Sequence, residues 1–344
     1  MSANLQKDAA SEAGVLGLFR RGRVAPKPLP ADIRLTGRTA IVTGSNVGLG
    51  LEACRQLLSR GLSRLIMGVR SQAKGDAAAD KIRQDFPDAT VSVWIVDMES
   101  YSSIQKFSKK CEALEGIDVV ILNAGLVKMA YETVEATGHE VSSQVNYLST
   151  ALLTILPLPI LKARKAKDSN RPPVLNIVGS DIIYSAKWEK TDQVLKALDK
   201  SDKYSGLDWY GKAKLLLTFF TTQLAERISP SDVLINMSNP GATRGTSFGR
   251  EAPFIVTKLF NVYQRAIGSK TPEQGASVYL DAALTRGAES RGSFISEWAI
   301  RPYPEIWYTE EGRELASKLW EETLTELDFA GARQIVTSMQ NVNA

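Results

Sequence analysis

Tyr210 and Lys214 stand four residues apart in the segment YGKAK. On a helix the two side chains leave one face a single turn apart. A free phenol has a pKa of about 10, too high for easy proton exchange near neutrality. A neighbouring ammonium favours the phenolate and lowers that value, so the pair is a candidate proton donor or acceptor. A second cluster, TGSNVGLG at residues 43–50, sets Gly44, Gly48 and Gly50 between the apolar run TAIV and the helix-like LEACRQLLSR. Gly44 would permit a tight turn, Gly48 the close approach of a pyrophosphate, and Gly50 close helix packing. The helix that follows offers free N–H groups and a positive dipole end to a phosphate.

Both clusters need elements that hold them, and the chain supplies an alternation. The runs TAIV, LIMGV, VSVWIV, DVVIL, VLNIV and VLINM read as buried strands. Between them lie amphipathic stretches at Leu51–Arg60, Ala73–Phe86 and Ser103–Leu114, then VSSQVNYLSTALLTILPLPILKARK and AKLLLTFFTTQLAER. Strands alternating with helices imply parallel pairing with both sheet faces covered. The expected fold class is α/β, a single doubly wound Rossmann domain over residues 35–304. An arm at 1–34 precedes it and a helical tail at 305–344 follows. In such sheets ligands bind beyond the carboxyl ends of the strands, where the glycine cluster falls.

Composition narrows the function classes. The chain has 344 residues, 44% of them hydrophobic and 23% charged, with a net charge of +4. That is the profile of an ordinary globular protein, and the small charge without a zinc-finger or RNA-binding signature argues against nucleic acid. The one histidine, His139, leaves no His-rich metal site, so no metal is expected. Cys54 and Cys111 both sit in helix-like patterns, which suits core packing in a reducing compartment. No transmembrane segment is expected, because the longest apolar stretch is broken by Pro157 and Pro159. The arm does not read as a secretory signal; its VLGLFRRGR reads as loosely ordered, with resting on a membrane or covering a pocket as the alternatives, and the default location is cytoplasmic.

The spacing Thr-Gly-x-x-x-Gly-x-Gly at Thr43–Gly50 resembles the opening of the short-chain dehydrogenase/reductase family. Further matches follow in order: LNAG (Leu122–Gly125) after the fourth strand, VNYLS with Asn146, LNIVGS ending at Ser180, Tyr210-x-x-x-Lys214, and NPGATRGT (Asn239–Thr246). The stretches MGVR and TGSNVGLG are most similar to the retinol-dehydrogenase-like and WW-domain-oxidoreductase-like branch, of fungal type. The chain departs from common family patterns at Asp181, which follows Ser180 in place of a second serine, and at Ala213 before the lysine. The first departure leaves Ser185 as an alternative to Ser180.

The resemblance implies an oxidoreductase in which Tyr210 exchanges the substrate proton. Ser180 orients the substrate oxygen, Lys214 holds the nicotinamide ribose, and Asn146 supports a water linking the lysine to solvent. It places Gly44, Ser45, Asn46, Gly48, Leu49, Gly50, Asn123, Ala124, Gly125, Pro240, Gly241 and Thr243 around a dinucleotide, with Asp97 beside adenine. The second strand carries no acid near its end and is followed by Arg70, whose planar fork suits a 2′-phosphate. NADP(H) is therefore expected over NAD(H). The implied activity is reduction of a ketone or aldehyde on a hydrophobic small molecule, a secondary metabolite among the candidates. Alcohol oxidation, double-bond reduction and a non-catalytic nucleotide sensor are the alternatives. The insert Ser180–Trp209, with Ile182, Ile183, Tyr184 and Trp188, and a substrate lid near 242–270, with Phe248, Phe254, Phe260 and Tyr263, would shape the pocket. Whether those lid aromatics meet a ligand or only pack is left open, as is the choice between monomer and homodimer.

Overall fold

Strand β1 (Thr39–Thr43) is buried at all five positions, as a run in the middle of a parallel sheet must be. In the computed structural model, which describes residues 1–164, 171–244 and 268–340, it pairs in parallel with β2 (Arg64–Val69) and β4 (Val119–Leu122). The other strands are β3 (Thr90–Ile95), β5 (Val174–Val178), β6 (Leu234–Asn239), β7 (Phe294–Ser296) and β8 (Ala299–Arg301). They form one eight-stranded sheet in the order β3-β2-β1-β4-β5-β6-β7-β8. Only the β7–β8 pair is antiparallel. The order reverses beside β1, which opens a crevice above its carboxyl end.

Helices cover both faces. On one side α2 (Gly48–Ser59), α3 (Gln72–Asp85) and α7 (Pro272–Leu280) pack on a core containing Val42, Leu57, Leu65 and Tyr279. On the other lie α4 (Tyr101–Cys111), the long run α5 (Val141–Ala163) and α6 (Gly206–Arg227), around Ile41, Leu152, Phe219 and Phe220. Cys54 and Cys111 are buried, as expected for packing residues. Among the described residues α5 is the one helix long and apolar enough to cross a bilayer, but 83% of its apolar window is buried inside the fold. It is a core helix whose turn at Pro157 does not keep it from running on.

The segments outside the alternation are folded onto it. The arm contributes a helix, α1 (Gly14–Gly22), rather than the loose chain its composition suggests. Its first residues are anchored: Ser2 Oγ accepts the Phe294 N–H at 2.9 Å, and the Ser2 carbonyl accepts from the Tyr308 hydroxyl at 2.7 Å. In the tail, α8 (Glu310–Glu326) and α9 (Ala332–Met339) bury Leu315, Leu319, Trp320 and Val336 in the same core as α5 and α6. Glu322 caps the insert's short helix Val194–Leu198, accepting from the Val194 and Leu195 N–H groups at 2.8 Å each. Tail and insert together cover the outer faces of the two helices that carry Asn146 and Tyr210.

His139 sits at this junction. Its Nδ1 is 2.8 Å from Asp199 of the insert and its Nε2 is 3.2 Å from Glu326 of α8. Burial would depress its pKa, but the hydrogen bonds and charges of Asp199 and Glu326 outweigh burial and raise it to about 9. A raised pKa stabilises the fold fully below the unfolded value near 6.5 and ceases to do so as pH climbs through 9. A His139→Gln variant should therefore lose about 2 kcal/mol at pH 6, and the gap to the unsubstituted chain should close above pH 9.5. Urea unfolding across that range measures it, and a pH-independent gap would contradict the charged bridge.

Candidate active site

The glycine cradle forms because β1 ends where a side chain cannot fit. Gly44 and Gly48 adopt φ of +63° and +60°, a region that costs any L side chain strain. A Cβ on Gly50 would collide with the Gly44 carbonyl and lie 2.6 Å from Asn123 Nδ2, whereas at Gly48 it would meet nothing within 4 Å. Gly50 thus packs the turn tightly, and Gly48 faces the open crevice at the start of α2. Asn123 fastens the arrangement: its Nδ2 donates to the Thr43 and Gly44 carbonyls at 3.0 and 3.2 Å, and the Ala124 N–H donates to Thr43 Oγ1 at 3.1 Å. Leu49 turns its side chain to Gly275 of α7, so it packs the cradle. Ser45 is fully buried and Asn46 half-buried.

Asp97 follows β3, where its carboxylate accepts the Glu99 N–H at 3.0 Å. The cap of α4 is Ser100 rather than Asp97. Arg70 lies just past β2, more than half exposed, paired with Glu99 at 2.7 Å. An exposed pair of this kind is worth little, so Arg70 is free to exchange Glu99 for a stronger anion.

The residues expected to transfer a proton meet between the end of β5 and the first half of α6. Ser180, following β5, hydrogen-bonds the side chain of Tyr210, and its Oγ also accepts the Ile182 N–H at 3.4 Å. Ser185 instead donates to the Ile182 carbonyl at 3.0 Å and caps a turn, so of the two serines Ser180 is the one brought to Tyr210. One turn along α6, Lys214 Nζ donates to the Val178 carbonyl at 2.8 Å and lies 5.8 Å from the centre of the Tyr210 ring. The Asn146 amide is tied to backbone: Nδ2 donates to the Leu126 and Ser142 carbonyls at 2.7 Å each, and Oδ1 accepts the Leu126 N–H at 3.2 Å. It ties α5 to the loop after β4, within a π-helical turn at Gln144–Leu148, a distortion frequent at functional sites. Gly125 lets this happen, since a Cβ there would stand 2.8 Å from Asn146 Oδ1 and 3.9 Å from Lys214 Nζ.

The electrostatics differ from the expectation of a phenol eased by its lysine. Burial pushes the Tyr210 hydroxyl above its ordinary value, opposed by the Ser180 hydrogen bond and reinforced by the Asp181 charge. Burial likewise lowers Lys214 to about 8. Both groups are nearly sealed from water, so desolvation of each charged form outweighs their mutual attraction.

Beyond β6, Pro240 and Gly241 begin the stretch described as far as Arg244. Gly241 has φ of +70°, and Thr243 Oγ1 donates to the Gly241 carbonyl at 3.1 Å. Thr243 and Lys270 form a parallel bridge, joined by Arg244 N–H to the Lys270 carbonyl at 3.1 Å and Lys270 N–H to the Ala242 carbonyl at 2.8 Å. Phe248, Phe254, Phe260 and Tyr263 lie outside the described residues. Of the insert's expected pocket residues, Ile183 is buried in the core, and Trp188 packs by Leu315 and Lys318 of α8. Ile182 and Tyr184 remain next to the site: Ile182 lies over Gly211, and Tyr184 holds the Pro302 carbonyl at 2.7 Å. The arm's contribution, Arg21 beside Asp181, was not foreseen, because it is distant in sequence and carries no motif.

A phosphate cradle at the β1 switch point, with a serine, a tyrosine and a lysine on the next elements, defines a dinucleotide-dependent oxidoreductase. The profile of the short chain dehydrogenases matches residues 38–169. The short chain dehydrogenase virL of Hypocrea virens is 55% identical over 340 residues, covering 99% of each chain. The chain belongs to the short-chain dehydrogenase/reductase family. In structure it is similar to salutaridine reductase from Papaver somniferum, with a TM-score of 0.58 and 21% identity over 75% of this chain and 99% of that one. A short chain dehydrogenase of Shigella flexneri complexed with NADP gives 0.55 and 19% over 78% and 99%.

Gly50→Ala tests the cradle. The added methyl must displace the Gly44 carbonyl or Asn123, so dinucleotide affinity should fall at least about tenfold. Quenching of tryptophan fluorescence by NADPH measures it, and an unchanged affinity would mean the turn does not hold phosphate.

Proposed function

We propose that the chain reduces a ketone or aldehyde on a hydrophobic small molecule with NADPH. The observation that carries this reading is the meeting of Ser180, Tyr210 and Lys214 at one end of the sheet, beside the glycine cradle. When bound, the dinucleotide supplies the hydride. The cradle of Gly44, Gly48 and the first turn of α2 would hold its pyrophosphate, with Asn123 keeping the turn in shape. Lys214, reached from the floor of the site, would take the ribose hydroxyls. Arg70 would exchange Glu99 for the 2′-phosphate, which supports NADPH over NADH, and the Shigella neighbour was solved with NADP.

The chain's own groups favour reduction. Burial and the Asp181 carboxylate hold Tyr210 protonated, the state a proton donor needs. Ser180 would donate to the substrate oxygen and fix it within reach of that phenol. Tyr210 would then protonate the oxygen as charge develops on it. At about 8, the Lys214 ammonium is still mostly protonated at neutral pH, so it would steady the phenolate left behind. Asn146 would hold the loop after β4 in register with α5 and support the proton path behind the lysine. The relatives at high identity are fungal, in keeping with a secondary metabolite as substrate class. With the tail and insert packed over α5 and α6, a monomer is the state proposed.

Three measurements test the reading. Tyr210→Phe should lower kcat/KM at least about a hundredfold while NADPH affinity stays within about threefold; full activity would remove Tyr210 from the mechanism. Arg70→Glu should cut the preference for NADPH over NADH at least about tenfold, and an unchanged ratio would remove the phosphate assignment. With NADPH deuterated at the transferred position, deuterium should appear on the carbon bearing the product hydroxyl; its absence would favour double-bond reduction.

A further inference from the structure

The N-terminal arm lies against the site from a side that the fold's alternation does not supply. Arg21 is nearly sealed, with 4% of its side chain exposed. Its Nη1 donates to the Glu12 carbonyl at 2.6 Å and to Glu12 Oε2 at 2.9 Å. Its Nε faces Asp181 Oδ2 at 3.5 Å, and its guanidinium lies 4.7 Å above the ring of Tyr184. Asp181 is the residue after Ser180, and its charge reaches Tyr210. At the end of α1, the Gly22 carbonyl stands against Gly268 so closely that a Cβ on Gly268 would come within 2.8 Å. The arm therefore spans from Asp181, the residue after Ser180, to Gly268.

The same charges run on across the β7–β8 hairpin. Glu12 also pairs with Arg20 at 2.6 Å and stands 3.8 Å from Arg301 of β8. Arg301 lies 3.8 Å from Glu297, and Glu297 binds Lys270 at 3.0 Å, with 0% and 4% of those last two side chains exposed. A Cβ on Gly241 would run into Lys270 Nζ. Glu297 and Trp298 turn the hairpin with φ of +49° and +54°, a strained conformation for residues other than glycine. Strain and buried charge persist together only where the surroundings hold them. The chain of pairs thus links Asp181, on one side of the site, to Gly241 on the other, through the arm.

We propose that the N-terminal arm is a fixed wall of the substrate site and that Arg21 is a positioning residue, holding Asp181 and through it the turn that carries Ser180. This deepens the carbonyl-reductase reading and rests on its assignment of Ser180. Three features set the role. Arg21 is fixed by Glu12 rather than by the sheet, so its position reports the docking of the whole arm. Asp181 is the polar departure from the serine pair common in the family, and it is matched by a cation from outside the Rossmann alternation. The substrate side of Ser180 is then bounded by an ion pair and an aromatic ring, with Tyr184 between Arg21 and Phe294 at 6.0 Å.

The test uses the full chain with Arg21→Met, Asp181→Asn and the two together, read by hydrogen–deuterium exchange and by turnover of phenanthrenequinone, a flat apolar dicarbonyl. In either single variant, amides at 182–186 should exchange at least tenfold faster, with β1 and β4 unchanged. The double variant should be no faster than either single, as residues acting through one contact require. For the quinone, kcat should fall at least tenfold while KM for NADPH stays within twofold. Unchanged exchange at 182–186 in both single variants, or kcat and KM for NADPH moving together, would overturn the proposal. Asp181→Asn leaves the arm's own contacts intact, so it decides the matter if Arg21→Met does not fold. An unsubstituted chain that binds NADPH but leaves the quinone untouched would count against the reductase reading, and the exchange pattern alone would then decide the arm.

Discussion

The contact on which the site depends is the amide of Asn123 against the last carbonyls of β1 and the turn after it. It joins two strands at the point where the sheet reverses order. On one side it shapes the glycine turn, because Gly44 and Gly50 leave room only for a backbone and this amide. On the other it fixes the start of the loop that brings Gly125 beside Asn146 and Lys214. The glycine turn and the loop beside Asn146 and Lys214 are thus joined by one polar stitch. Glycine is needed where the stitch would otherwise be displaced, which is why the spacing of glycines and the Asn-Ala-Gly element occur together.

The second constraint is desolvation. Tyr210 and Lys214 are both nearly inaccessible, and burial moves the two groups in opposite directions, each toward its neutral form. A buried phenol that resists ionisation keeps its proton at rest. A lysine lowered to about 8 can still carry its charge at neutral pH. The surrounding polar groups are arranged to keep this tolerable: Val178 supplies a carbonyl to the ammonium, and Ser180 a hydrogen bond to the phenol. Asp181 works against the phenolate, with the Arg21 guanidinium 3.5 Å from its carboxylate.

The alternation of short β-branched runs with amphipathic stretches was enough to read six strands and the helices between them, since all but the edge strand β3 are largely buried and each helix has one apolar face. Ser180 follows β5 directly, and Tyr210 and Lys214 share one face of the first half of α6, which is why their motifs were legible in order. What stayed hidden is what lacks periodicity or acts over distance. Strands β7 and β8 are three residues each, too short for an alternating pattern. Asn146 was read for a water-holding role, and its amide proves committed to backbone groups of Leu126 and Ser142; nothing in one sequence distinguishes a tying amide from a ligand. Trp188 lines a small cleft together with the tail's Leu315 and Lys318, more than a hundred residues later, a juxtaposition no local pattern announces. Arg21 looked like part of a basic arm, and only the fold shows that Glu12 and Asp181 face it.

The hidden parts lie outside the alternation of strands and helices. The arm, insert and tail carry no glycine of the turn after β1, yet they bury charge pairs and hydrophobic side chains against the rest of the fold. A segment that served stability alone would need only apolar contact, as α9 makes with α5. The arm instead places a sealed arginine next to the residue after Ser180, its charge met by Glu12 on one side and Asp181 on the other.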